Sequence, residues 1–122
     1  MRVLIAVPRG EMRAALGFLL SQEPDICLVG NSGTSQELLA SLEVARPDLV
    51  LLDCELPGLS TSDLLAELYA HDANLQVLIL CTEIERERAA LAAGARTFVD
   101  KTVHPRKLLT ALRILQLESE YE

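Results

Sequence analysis

Tryptophan is absent from this chain, and two phenylalanines and two tyrosines are its only aromatic residues. Half of the 122 residues are nonetheless hydrophobic, so the core is expected to be built from Leu, Ile, Val and Ala. Positive charge is scarce as well: 11 Lys and Arg stand against 18 Asp and Glu, a net charge of −7. Phosphate contacts need clustered cations, so no direct nucleic-acid contact is expected of this chain. No CxxC occurs. The three cysteines, Cys27, Cys54 and Cys81, lack metal or redox spacing and are expected to be reduced structural thiols. No run approaches the ~18 apolar residues of a membrane span. The opening Met1-Arg2-Val3-Leu4-Ile5-Ala6-Val7 turns to Pro8-Arg9-Gly10 too soon for a secretory signal. A soluble, cytoplasmic protein with no membrane contact is expected. GxGxxG and P-loop patterns are missing too, which argues against dinucleotide and nucleoside-triphosphate chemistry.

What remains is a regular alternation of extended and helical patterns, with no repeat and no low-complexity linker. Strands are predicted at Arg2–Val7, Ile26–Gly30, Leu49–Asp53, Gln76–Cys81 and Thr97–Val99. The first helix, from about Glu11 to Gln22, carries Met12, Ala15, Leu16, Leu19 and Leu20 on one stripe. Thr34 with Glu37 is a capping-box signature for the second, with stripe Leu38, Leu39, Leu42 and Ala45. Ser60 and Asp63 open a third with Leu64, Leu65 and Leu68 inward, and Thr82 with Glu85 opens a fourth that stops at Gly94. Pro105 starts a fifth, which runs to about Leu117 with Leu108, Ala111, Leu112 and Leu115 inward. The acidic tail over 118–122 is expected to fray. Five βα units with right-handed crossovers make a single α/β domain over residues 1–122: a flavodoxin-like (βα)5 three-layer sandwich with parallel strand order 2-1-3-4-5.

The central strand, Leu49-Val50-Leu51-Leu52-Asp53, ends on a carboxylate. In open parallel sheets, reacting groups sit just beyond the carboxyl ends of the strands. Position alone leaves two readings of Asp53 open, a functional group or a cap for the following loop.

Four segments together resemble the receiver domain of two-component response regulators, over essentially the whole chain. They are Arg2–Ala6, Arg46–Asp53 with Leu56-Pro57-Gly58, Val77–Leu80, and Ala92-Ala93-Gly94-Ala95 leading to Phe98 and Lys101. The resemblance is closest to receivers that precede a helix-turn-helix output domain. It implies a non-enzymatic signalling domain with Asp53 as the acceptor of a phosphoryl group from a histidine kinase. Lys101 falls on the position that pairs with that group, and Phe98 on the aromatic that moves with activation.

Three departures accompany the match. Receivers end strand one with two adjacent acids that bind Mg²⁺; those places are Val7 and Pro8. Only Asp53 and the backbone carbonyl of Glu55 remain as ligands, so Mg²⁺ binding is expected to be weak or absent, and no cofactor is expected. Pro8 also lacks an N–H and has a fixed φ. The Ser or Thr that ends strand four is replaced by Cys81, a poorer donor; Thr82 beside it points the other way and is expected to cap the next helix. The stretch from Cys81 to Gly94 is one or two residues short. Arg9 is a candidate cation substitute beside Asp53, and Glu11 a candidate carboxylate. Cys54 and Cys81 lie near the ends of neighbouring strands, which admits a redox or soft-metal role, though no ligating His is near in sequence. His71 and His104 lie in predicted loops without a nucleophile partner.

The expected function is therefore an atypical receiver that works as a phosphorylation-independent protein-interaction module. The alternative is a slow but functional phospho-acceptor at Asp53. A flavodoxin-like cofactor protein fits poorly with so few aromatics and no phosphate loop. Expected partners are a histidine kinase, an output domain or regulator, or a second copy. A second copy would dock through the first and fifth helices, or through the fourth helix, fifth strand and fifth helix. Phe18, Leu109 and Ile114 fall off the main stripes of their helices and are candidate contacts or core margins.

Overall fold

The computed structural model describes residues 1–81, 97–100 and 105–120. Its strands are β1 (Arg2–Ala6), β2 (Cys27–Ser32), β3 (Leu49–Asp53), β4 (Gln76–Cys81) and β5 (Thr97–Asp100). They form one sheet in the order β2-β1-β3-β4-β5 with every neighbouring pair parallel, as the sequence predicts. The described helices are α1 (Gly10–Ser21), α2 (Ser35–Ala45), α3 (Thr61–His71) and α4 (Pro105–Glu120). α4 corresponds to the fifth predicted helix. The predicted helix over 82–93, with Thr82 and Gly94, lies outside the described residues, as do Lys101 and His104.

Side chains alternate across the central strands and so build two cores. Leu4, Val50, Leu52, Val77 and Ile79 meet Leu38 and Leu42 of α2 and Leu64, Leu65 and Leu68 of α3. On the opposite face Val3, Ile5, Leu51, Leu78 and Leu80 meet Leu20 of α1 and Leu108, Leu112 and Leu115 of α4. Every residue of β3 and β4 is buried, the mark of strands covered on both sides. That position puts the end of β3 between two layers of helix. No described helix is long and apolar enough to cross a membrane.

Two of the three predicted caps lie among the described residues, and both form. Thr34 Oγ1 accepts from the Glu37 N–H at 3.1 Å, and Ser60 Oγ accepts from the Asp63 N–H at 3.1 Å. The Glu37 carboxylate reaches one residue further back than the motif implies, to the Gly33 N–H at 3.1 Å. The carboxyl end of α2 is closed from β1. Arg2 Nε donates to the Ala45 and Arg46 carbonyls at 3.2 and 3.1 Å, while Arg46 adopts left-handed φ 46°.

Several boundaries differ from expectation. β1 ends at Ala6, although the buried Val7 still donates its N–H to the Ser32 carbonyl at 3.0 Å. β2 runs on to Ser32, and a register shift opposite Val3/Leu4 leaves Val29 without a Cα partner. Ala15 is exposed despite its place on the predicted stripe, because only the Leu20 end of α1 is fully buried. α4 does not stop at Leu117: residues 118–120 of the expected frayed tail are helical. Its last turns are anchored. Arg113 pairs with Glu23 at 2.5 Å and with Asp25, and Gln116 Nε2 donates to Asp25 at 3.2 Å. Arg113 in turn holds the Asp25 carboxyl below the usual carboxylate range. Gln76, buried in β4, donates from Nε2 to the Leu115 carbonyl at 2.9 Å.

Candidate functional site

Asp53 closes β3 and is 2% exposed. Its Oδ1 accepts from the Glu55 N–H at 2.8 Å, and its carbonyl accepts from the Leu56 N–H at 3.1 Å. The carboxylate thus both ends the strand and shapes the turn after it, so the two readings of Asp53 are compatible.

The loop beyond is tied down at several points. The Cys54 N–H continues the ladder to the Leu80 carbonyl at 3.0 Å, and Thr61 Oγ1 donates to the Cys54 carbonyl at 3.3 Å. Further along, the loop docks on the first turn of α2. The Ser35 N–H donates to the Pro57 carbonyl at 2.9 Å, and Ser35 Oγ accepts from the Leu59 N–H at 2.9 Å. Gly58 makes this approach feasible. Its φ is +115°, and a Cβ there would stand 2.0 Å from Ser35 Oγ.

β1 neighbours β3, with Ala6 opposite Leu52, so Val7 and Pro8 leave the sheet at the same edge as Asp53. Val7 is fully buried and Pro8 partly so. Arg13, one turn into α1, donates from Nη1 to the Val7 carbonyl at 2.7 Å and to the Pro8 carbonyl at 3.2 Å. A guanidinium therefore occupies the carbonyls of the two residues that follow β1. Mg²⁺ prefers near-octahedral oxygen ligands that include carboxylates. A valine, an imino acid and carbonyls already bonded to a cation do not fit that ion. Among the described residues, no group of three or more His, Cys, Asp or Glu could hold a metal.

Arg9 is exposed at the N-cap of α1, and its side chain makes no hydrogen bond or ion pair among the described residues. Glu11 is exposed in the first turn of that helix. The cation fixed near the end of β1 is Arg13, which the sequence reading missed. Its one available signal was a long cation beside Met12 and Leu16 of the apolar stripe.

On the other flank, Cys81 is buried at the end of β4, with its Sγ 2.6 Å from that of the partly exposed Cys54. Glu55 is exposed. Phe98 lies in β5 with its Cα opposite Ile79. The fold thus gathers Asp53, Val7, Pro8, Cys54 and Cys81 at one edge of the sheet; Thr82 and Lys101 fall outside the described residues.

The response regulator receiver domain model matches residues 3–113. The DNA-binding transcriptional activator DevR/DosR of Mycobacterium tuberculosis is 33% identical over 104 residues, covering 84% of this chain and 48% of that protein. The nitrate/nitrite response regulator protein NarL of Escherichia coli is 29% identical over 103 residues, covering 83% of this chain and 48% of that protein. The chain spans about half the length of these curated relatives. In fold it is similar to the isolated REC domain of RcsB from Salmonella enterica, solved in the presence of phosphomimetic BeF3−. That match has a TM-score of 0.86 at 23% identity and covers 95% of this chain and 88% of that one. The N-terminal domain of an uncharacterized protein from Wolinella succinogenes matches with a TM-score of 0.82 at 21% identity, covering 100% and 98% of the two chains. At these identities the structural likeness is one of fold.

Proposed function

This chain belongs to the response regulator receiver domain family, and from that premise we propose that it is an atypical member: a cytoplasmic interaction module that docks a protein partner without ordinary Mg²⁺-dependent phosphorylation of Asp53. The observation that carries this reading is the end of β1. Buried Val7 and half-buried Pro8 stand where paired acids would be, and the Arg13 guanidinium is bonded to both of their carbonyls. Phosphoryl transfer depends on positioning and on neutralising developing charge, and metal ions supply much of both. Asp53 keeps its place but lacks that support from β1.

The partner is a histidine kinase, an output domain or another copy of the chain. Exposed apolar side chains on α1 and α4, which cover the same face of the sheet, favour contact through these helices. Phe18 on α1 is 70% exposed, and Ile114 and Leu117 on α4 are 52% and 54% exposed. Leu109, also expected at this margin, packs partly into the core. The whole of residues 1–122 is read as one domain.

Titration with Mg²⁺ and beryllofluoride, followed through backbone amide resonances of Asp53 and Glu55, tests the reading. The expected result is no saturable change at millimolar Mg²⁺. Saturable shifts confined to the Asp53 edge would overturn it in favour of a working phospho-acceptor that uses Asp53 and Lys101.

A further inference from the structure

The β3–β4 ladder puts Asp53 opposite Leu80, so the next step puts Cys54 opposite Cys81. The Cys54 N–H bond to the Leu80 carbonyl carries the ladder that one residue further. Residues in register on parallel strands project to the same face, and Leu52 and Ile79, two residues back, share the core beneath α2 and α3. Cys81 belongs to that core and Cys54 packs against it. Neighbouring strands lie ~4.8 Å apart, inside the ~4.4–6.8 Å Cα separation that a disulfide spans. The two sulfur atoms stand 2.6 Å apart. Their exposure differs: Cys81 is buried, whereas Cys54 is partly open to solvent.

From this juxtaposition we infer that Cys54 and Cys81 form a dithiol modification site, oxidised by low-molecular-weight disulfides to a bond that joins the ends of β3 and β4. The Cys54 thiolate attacks one sulfur of the incoming disulfide and expels one thiolate, leaving a mixed disulfide on Cys54. The expelled thiolate takes the Cys81 proton, and Cys81 attacks the Cys54 sulfur, expelling the second thiolate, which solvent protonates. Two protein thiols and one small disulfide become one protein disulfide and two small thiols. Cys54 is the entry point because it is reachable, and Cys81 resolves the intermediate because it sits against it. The bond would form one residue beyond Asp53, so it couples the redox state of the surroundings to the edge that carries that carboxylate. The inference rests on strand register and sulfur contact, and it holds whether or not Asp53 ever accepts a phosphoryl group.

The folded protein is incubated with graded mixtures of oxidised and reduced glutathione, quenched with an alkylating agent, and read by intact mass and peptide mapping. The expected product is two hydrogens lighter, with Cys54 linked to Cys81, and its fraction rises with the oxidised share. Exposed Cys27 starts β2 opposite Arg2, so it serves as an internal control that gains only glutathione or alkyl groups. Cys81→Ser should arrest at glutathione on Cys54. A wild-type protein that stops at the mixed disulfide, or whose Cys54 and Cys81 are both alkylated at every ratio, overturns the inference. So does a bond that appears only after denaturation; the wild-type mapping decides this even if Cys81→Ser fails to fold.

Discussion

Replacing Gly58 with alanine asks how tightly the loop after Asp53 is held. The new Cβ would occupy a φ of +115° and stand 2.0 Å from Ser35 Oγ and 3.1 Å from Ser35 Cβ. The backbone strain alone is worth about 1–3 kcal/mol. Ser35 Oγ cannot swing aside without cost, because it accepts the Leu59 N–H at 2.9 Å; losing that bond adds about 1 kcal/mol. Gly58→Ala is therefore expected to destabilise the domain by about 2–4 kcal/mol, a large share of the ~5–15 kcal/mol typical of a whole domain. Urea unfolding followed by far-ultraviolet circular dichroism measures it, which suits a chain without tryptophan. The diagnostic comparison is a cycle with Ser35→Ala, itself expected to cost about 1 kcal/mol. With Oγ removed, Gly58→Ala should cost about 1 kcal/mol less than in the parent, since strain remains but the bond is already gone. An equal cost in both backgrounds would show that the Ser35 contact is not what requires glycine. A cost below about 0.5 kcal/mol would refute the whole account.

Further outcomes follow from the same contacts. Arg113→Met removes the group that lowers the Asp25 pKa, so the Asp25 carboxyl resonance should titrate at higher pH in the variant. Because that pKa is depressed in the fold, the associated stability is present above the unfolded value and is lost as pH falls through the folded one; high salt should shrink the difference. Arg13→Ala should lower stability by about 1–2 kcal/mol through two lost charge-assisted bonds, whereas exposed Arg9→Ala should stay within about 0.5 kcal/mol in the same urea assay. Gln76→Leu removes the side-chain donor to the Leu115 carbonyl and should cost about 0.5–1.5 kcal/mol in urea unfolding. Val7→Asp combined with Pro8→Asp should give saturable Mg²⁺ binding by calorimetry, tighter than that of the parent.

Local patterns were legible where one segment carried its own signal. Thr34 and Ser60 announced their helices because a capping oxygen bonds an N–H three residues on. The apolar run ending in Asp53 announced a strand buried on both faces. Contacts that join distant segments left no such trace. Ser35 meets Leu59 across 24 residues, and Arg2 meets Ala45 across 43. The end of α4 was misjudged because Glu118 and Glu120 oppose the helix dipole, while the ties from Arg113 and Gln116 to Asp25 depend on the tertiary fold. Ala15 has the right period but no buried surface to meet, since periodicity marks a face and not whether it is covered. At the candidate site, Val7 and Pro8 were visible at the end of strand one, but the guanidinium of Arg13 on their carbonyls was not.

The bond from Gln76 to Leu115 has a mechanical meaning for α4. A helix pinned at one interior carbonyl can pivot there, but a slide of one turn, ~5.4 Å, would strand a side-chain amide in aliphatic surroundings. A tilt about that point, near the carboxyl end of α4, keeps the bond that a slide would break. The Pro105 end lies on the long arm, ten residues or roughly 15 Å away, and there a small rotation becomes the largest movement.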